Sequence, residues 1–359
     1  MPLARPCLGE AELRAIERVL ASGRLVLGPE VERFEEAVAR RCGRAHAVAV
    51  SSGTTALEIA LQAIGVGPGD EVLVAAFTWP SPAHAVRRVG ARPVLVDVDP
   101  HEWNATPEAF AAARSPRTVA AIAIDQFGFP ARLDALEAAL PGVALVEDAA
   151  CALGASLHGR ACGGWGLVAC LSFHPRKVLT TAEGGMCLTD DAALAARMRE
   201  LRNHGQRAPG RFVQPAGNAR MSELHAAVGL AQLERLDERL AERARLYTRY
   251  RDALGDRLQW QRPAPGARPV YQTAGVLLGE ELADRRDALV EVAAQRGIEL
   301  GRLSYALGRL RSLESFVSAP LPVSEQLERA GLALPLWPGL DEASQDRVIE
   351  FLVDWTSKS

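Results

Sequence analysis

The chain has 359 residues, more than one hydrophobic core usually serves, so two domains are expected. With 48% hydrophobic and 24% charged residues, a formal net charge of -3 and no run of like charges, it reads as a globular protein with neither a nucleic-acid face nor a basic membrane patch. No apolar run approaches the ~18 residues of a membrane span, the N-terminal segment carries Glu10, Glu12 and Glu17, and the cysteines at 7, 42, 151, 162, 170 and 187 lack zinc spacing, so a cytoplasmic protein with reduced thiols and no structural metal is expected.

Residues 9–21 place Leu13, Ile16, Val19 and Leu20 at helical spacing, and Ser22-Gly23 end that helix. A second helix is predicted over 30–42, with Val31, Phe34 and Val38 on one stripe and a turn at Gly43. Short apolar runs then alternate with helical stretches. They predict strands at 45–50, 71–75, 93–97, 119–124, 143–147, 167–173 and 186–189, with a helix over 55–64 after the first. Runs apolar on both faces, joined by helical crossovers, predict an α/β fold: a mostly parallel wound sheet with helices on both faces. Ligands of such sheets sit at the carboxyl ends of the strands.

From residue 221 the pattern changes. One long helix, straight or bent, is predicted over 221–254, ending at Gly255, then a strand at 270–278 and helices at 282–296 and 343–355. This predicts a smaller C-terminal α+β domain. The expected division is an N-terminal helical segment 1–22, a large α/β domain 23–235 and a small domain 236–359.

Four features fall at predicted strand ends. Ser51-Ser52-Gly53-Thr54-Thr55-Ala56-Leu57 is a glycine and hydroxyl turn entering a helix, where free N–H groups and the positive end of the helix dipole can seat a phosphate. Thr78-Trp79 offers an aromatic that can lie over a flat ring. Val146-Glu147-Asp148 delivers a carboxylate that can keep a pyridine nitrogen protonated. Lys177 follows Ser172, a phosphate donor at the preceding strand end. Of the 41 lysines and arginines only Lys177 and Lys358 are lysines, and Lys358 lies in a tail expected to fray. A lysine amine can lose its proton and attack a carbonyl, which arginine cannot.

Taken alone, each feature also reads as ordinary structure: an N-cap, a core or interface tryptophan, a metal or ribose carboxylate, a surviving lysine. Together they make a site for pyridoxal 5'-phosphate (PLP) held as a Schiff base. The chain lacks a phosphate-binding G-x-x-x-x-G-K-[ST] and a strand-to-helix G-x-G-x-x-G, so nucleotide hydrolysis and dinucleotide redox chemistry lose support.

Seven motifs then make the chain resemble a known family. They are Gly28-Pro29-Glu30-Val31-Glu32, Ser52-Gly53-Thr54-Thr55-Ala56-Leu57, Phe77-Thr78-Trp79, Glu147-Asp148-Ala149-Ala150, Ser172-Phe173-His174-Pro175-Arg176-Lys177, Leu201-Arg202-Asn203-His204-Gly205 and Asn218-Ala219-Arg220-Met221-Ser222-Glu223-Leu224. The chain resembles, over nearly its whole length, the PLP-dependent sugar aminotransferases of the DegT/DnrJ/StrS group, which have the fold type I architecture. The resemblance implies that Lys177 forms the Schiff base and moves protons, that Asp148 pairs with the pyridine nitrogen, and that Gly53, Thr54, Thr55 and Ser172 form the phosphate seat. It further implies that Trp79 stacks on the ring and that Asn218 reaches the phosphate of the neighbouring subunit in a homodimer with shared sites. The implied reaction takes an amino group from L-glutamate to a keto group of a nucleotide-linked sugar. A same-fold enzyme acting on a non-sugar cyclic ketone such as a cyclitol, and a PLP-binding regulator without turnover, stay open. Neither His174 nor His204 receives a catalytic role.

Four places depart from the family pattern. Cys151 stands where a glutamine or histidine usually bonds the phenolic oxygen of PLP. Ala182 stands where glycine is common, and Ala216-Gly217 where a glycine and an aromatic are common. Gly301-Arg302-Leu303-Ser304-Tyr305-Ala306-Leu307 stands where a His-Tyr-Pro motif is usual on the substrate side.

Overall fold

Glycines end the first two helices. Helix α1 (Glu10–Ser22) and helix α2 (Pro29–Cys42) each stop at a residue in the left-handed conformation, Gly23 and Gly43, both at φ 67°. Pro29 pre-sets the first turn of α2. The structure, a computed structural model, describes residues 1–357, so the expected fraying at Lys358 lies outside the described residues.

In chain order the strands that follow are β1 (His46–Val50), β2 (Glu71–Ala75), the two-residue β3 (Phe77–Thr78), β4 (Arg92–Val96), β5 (Thr118–Ile124), β6 (Ala144–Asp148), the short hairpin β7 and β8 (Ser156–Leu157 and Arg160–Ala161), β9 (Val168–Ser172) and β10 (Gly185–Thr189). Seven of them form one sheet in the order β1-β10-β9-β6-β5-β2-β4. Only β10 runs against its neighbours; the other pairings are parallel. The expected mostly parallel wound sheet is therefore present. Side chains alternate across the pleat. Strand β1 sends Val48 and Val50 into one core with Cys170 and Cys187, and Ala47 and Ala49 into another with Leu171 and Met186 beneath Phe34 and Val38 of α2. Each such buried Val, Leu or Phe contributes about 1.5–3 kcal/mol.

The crossovers are α3 (Gly53–Ala63), α4 (Ser81–Arg88), α5 (Pro107–Ala112) and α6 (Leu133–Ala139), with α7 (Ala192–Arg202) after the last strand. Helices α8 (Glu223–Glu234) and α9 (Leu236–Leu254) lead to a four-stranded antiparallel sheet of Gln259–Trp260, Ala274–Leu277, Gly331–Leu334 and Gly301–Arg302. One continuous apolar core runs through both sheets. Asp97, just after β4, accepts hydrogen bonds from Val323 N (3.0 Å), Ser324 N (2.8 Å) and Ser324 Oγ (2.6 Å), which caps the helix Pro322–Ala330. Tyr305–Ala306 pairs antiparallel with β3. These two ties bring the segment 301–307 against the edge of the large sheet where β2 ends. No helix among the described residues is long and apolar enough to cross a membrane.

Four of the expected elements differ in detail. Helix α1 does not bury Leu13 and Leu20, which stay 55% and 58% exposed; it packs Glu12, Ala15 and Val19 toward α8. Glu12 is tolerated there because it accepts from Gly9 N (2.8 Å) and pairs with Arg239 (3.4 Å). The long helix breaks into α8 and α9 at Arg235, which leaves helical geometry at φ -109° and ψ 10°. The strand expected over 270–278 is regular only at Ala274–Leu277, because Tyr271 takes φ 52° and Gln272 N turns to Phe127 O (3.0 Å). The helix expected over 282–296 is likewise two pieces, Glu280–Ala283 and Arg286–Gln295.

Candidate active site

All the parallel strands end on one edge, and the expected chemistry is gathered there. Strand β1 runs through Ser51 into α3, whose N-cap Ser52 accepts from Thr55 N at 3.1 Å. Ser52 and Thr55 hydroxyls meet at 2.9 Å, and Thr54 Oγ1 meets Ser81 Oγ at 2.8 Å. Gly53 allows α3 to abut the end of β9: a Cβ there would stand 2.7 Å from Ser172 Cβ and 3.1 Å from its Oγ. A larger residue would push the helix N-terminus off Ser172. The cradle thus joins the positive end of a helix to a ring of hydroxyls.

Lys177 lies on the loop between β9 and β10. Phe173, buried beneath that loop, pins it: Phe173 N donates to Gly184 O (2.9 Å), and Thr181 N and Thr180 Oγ1 each donate to Phe173 O (3.0 Å). Lys177 N bonds His174 O at 2.8 Å, and Gln272 Nε2 holds the carbonyl of Arg176 at 2.9 Å. The Lys177 amine lies 3.0 Å from Cys151 Sγ. On the way back to β10 the chain passes Ala182, a non-glycine residue at φ 68°. Glycine's freedom at that angle is the physical sense of the departure noted above.

Asp148 is the last residue of β6 and is buried. Burial pushes its carboxyl above the ordinary range, against the Ala150 N–H (3.1 Å) and the charge of Lys177, which pull it down. A carboxylate so placed is stabilised by a further cation. Its neighbour Glu147 is fully buried on the opposite face and accepts from Gly163 N and Trp165 N, each at 2.8 Å. Asp125 and Cys162 stand with it inside 4.8 Å. With both Glu147 oxygens engaged by amides and the Cys162 thiol pushed well up by burial, this cluster fits a shared proton better than a metal ion.

Trp79 follows β3 and is 60% exposed, which removes the core alternative; its ring meets Tyr305 edge-on at 5.5 Å. Asn218 is exposed and bridges Asn203, while Arg220 Nη1 donates to Asn203 Oδ1 at 2.5 Å and His204 N to Gly217 O at 2.8 Å. The motif at 201–205 thus braces the loop that presents Asn218. Glu223 does similar work for the motif at 28–32, accepting from Gly28 N (2.9 Å), Glu30 N (2.9 Å) and Val31 N (3.1 Å).

The structure therefore brings Lys177, Asp148 and Cys151 together, and Gly53 together with Ser172. Trp79 and Asn218 make their contacts with Tyr305 and with the 203–220 brace instead. Sequence reasoning missed Ser81 and Asp125, and it singled out Tyr305 only within the segment 301–307, without its contact to Trp79. Asp125 follows a predicted strand directly, so the rule of strand ends would have found it.

A family model described as the DegT/DnrJ/EryC1/StrS aminotransferase family matches residues 6–353. The chain is 39% identical over 333 residues to GDP-perosamine synthase of Caulobacter vibrioides, spanning 91% of this chain and 90% of that one. Among solved structures, DesV of S. venezuelae in complex with a ketimine intermediate is 34% identical, with a TM-score of 0.91 and 98% and 99% of the two chains covered. DesI in the presence of its TDP-sugar product is 32% identical, with a TM-score of 0.92 and 99% and 92% covered.

Proposed function

The chain belongs to the DegT/DnrJ/EryC1/StrS aminotransferase family and is a PLP-dependent transaminase, and we propose that it carries an amino group from L-glutamate to a keto carbon of a nucleotide-linked sugar. The observation that carries this reading is the Lys177 amine, which forms no ion pair with a carboxylate among the described residues, standing at the strand-end edge near buried Asp148. The perosamine synthase and DesI likenesses support a sugar nucleotide as acceptor.

The residues present fit PLP. The cradle at Gly53 and Ser172 is one a Cβ would fill, and Asp148 is a buried carboxylate suited to a protonated ring nitrogen. When bound, the cofactor supplies an electron sink for the carbon that loses its proton. Thr54, Thr55, Ser172 and the first N–H groups of α3 would hold its phosphate, and Asp148 would keep the proton on its ring nitrogen. Trp79, exposed and steadied by Tyr305, would cover the ring face. Lys177, released when substrate takes its place, would move the proton to and from the substrate carbon as general base and acid. Its backbone, fastened through His174 O and the Arg176 carbonyl, fixes the point from which that side chain reaches toward Asp148.

We read the enzyme as a cytoplasmic homodimer in which Asn218 serves the partner's site. The exposure of Asn218 on a braced loop supports this, as do the exposed apolar side chains Leu20, Leu25, Val26 and Leu27, which a second copy would cover. The six cysteines are free, in keeping with a reducing compartment.

The test is the absorbance of the purified protein with PLP, before and after L-glutamate, for wild type and Lys177→Ala. A near-visible band that glutamate shifts in the wild type alone is expected, followed by its return on adding a keto sugar nucleotide. A wild-type band untouched by glutamate would overturn the reading.

A further inference from the structure

Beyond the proton-carrying role of Lys177, on which this inference rests, we propose that Cys151 is a positioning residue: its thiol docks the Lys177 amine whenever that amine carries no covalent bond. The contact is Nζ to Sγ at 3.0 Å. Both partners have fixed backbones. Cys151 sits in the turn after β6, where Ala152 N donates to Ala149 O at 2.9 Å and the Cys151 carbonyl lies so close to Gly128 that a Cβ there would approach within 2.8 Å. The peptide that enters Lys177 is fastened at both of its groups, its N–H to His174 O and the Arg176 carbonyl by Gln272 Nε2. Between these backbones the long lysine side chain has the most freedom, and its tip rests on sulfur.

The choice of sulfur matters chemically. A carboxylate at this distance would hold an ammonium tightly and oppose the loss of its proton. A thiol is a weak donor and a weak acceptor. It restrains a long flexible side chain without committing it to the charged form, so the amine stays available to accept the proton from the substrate carbon. The other cysteines cannot serve. Cys42, Cys162 and Cys170 are sealed in the cores, where burial pushes each thiol up, and Cys187 donates to Ala56 O at 3.3 Å. Cys151 is also three residues from Asp148, so one short segment positions both the carboxylate and the dock.

Two measurements test the dock. In the cofactor-free full-length protein, iodoacetamide alkylates a thiolate: sulfur bonds to the methylene carbon, iodide leaves and the thiol proton passes to water. The Lys177 amine resting on the sulfur covers it from the reagent. Cys151, followed by peptide mapping with Cys7 as internal standard, should therefore react several-fold more slowly in wild type than in Lys177→Ala. In the PLP-loaded enzyme, Cys151→Ala should lower kcat for glutamate about ten- to a hundredfold with KM little changed, since the amine loses its place. Cys151→Ser should recover part of that loss. Equal alkylation rates in wild type and Lys177→Ala, or an unchanged kcat in Cys151→Ala, would overturn the proposal. The alkylation result does not depend on turnover, so an inactive protein with a Lys177-dependent thiol would count against the transaminase reading alone.

Discussion

Asp125 and Glu147 are fully buried carboxyls within 4.8 Å of each other, and two such groups cannot both ionise cheaply. Burial raises Glu147 to about 7, although the amides of Gly163 and Trp165 pull it down; burial and the charge of Glu147 hold Asp125 well above the carboxylate range. Asp125 Oδ1 accepts from Ala131 N at 2.9 Å, and its Oδ2 has no hydrogen-bond partner among the described residues. A proton kept on Asp125 and aimed at Glu147 accounts for both. Asp125 N also donates to Asp148 O at 3.1 Å, so the pair backs the strand end that presents Asp148. The sign follows from linkage. Carboxyls raised on folding make the native state bind more protons than the unfolded chain, so stability falls as pH rises from the unfolded value toward and through about 7. Each retained proton contributes up to about 1.4 kcal/mol per pH unit. Asp125→Asn keeps the bond to Ala131 N and gives Glu147 a permanent donor, so its melting temperature should decline less than that of wild type between pH 5 and pH 8. Parallel declines in thermal melts would remove the shared proton.

The turn that returns the Lys177 loop to β10 shows how one element tolerates a poor residue. Thr180 Oγ1 accepts from Ala182 N (3.0 Å) and Thr181 Oγ1 donates to Glu183 O (2.7 Å), which together force Ala182 to φ 68°. Left-handed backbone costs a residue with a Cβ about 1–2 kcal/mol. Ala182→Gly should therefore stabilise the protein by about 1 kcal/mol, raising the melting temperature by about 1–2 °C for a chain of this size, with PLP affinity unchanged. A lower melting temperature would mean that the turn needs Ala182 for another reason. The sequence carried a trace of this, since glycine is common at that place in the family.

Other elements show where such traces end. The strands of the large sheet were legible because runs apolar on both faces leave few alternatives. In α1, however, Leu13 and Leu20 form as good an apolar stripe as Ala15 and Val19, and spacing alone does not say which stripe meets the same chain. The break at Arg235 has no proline or glycine to announce it. The helix Pro322–Ala330 did have its signal, a proline at the first turn, and was overlooked along with the strand Gly331–Leu334 behind it. Lys177, Asp148 and the α3 turn stood out at the site because each follows a strand. Tyr305 did not, because only the pairing of 305–306 with β3 brings it to Trp79.

For the molecule as a whole, the proposed shared site makes activity a property of two chains, and this can be separated from ordinary stabilisation by dimerisation. Suppose Lys177→Ala and Asn218→Ala chains are mixed so that hybrid dimers form. If Asn218 serves the partner's site, one site of each hybrid combines an intact Lys177 from one chain with an intact Asn218 from the other. The second site carries both lesions. Each hybrid should then turn over at about half the wild-type rate, while the Lys177→Ala homodimer is dead and the Asn218→Ala homodimer is impaired through weaker phosphate binding. If each chain instead used its own Asn218, no hybrid site would be whole, and mixing would restore nothing beyond the residual activity of the Asn218→Ala chains. The same mixture, run on a sizing column, reports whether either substitution prevents association. Since Asn218 is exposed and its loop is braced through Asn203 and Arg220 rather than through Asn218's own packing, both variants should elute with the wild type.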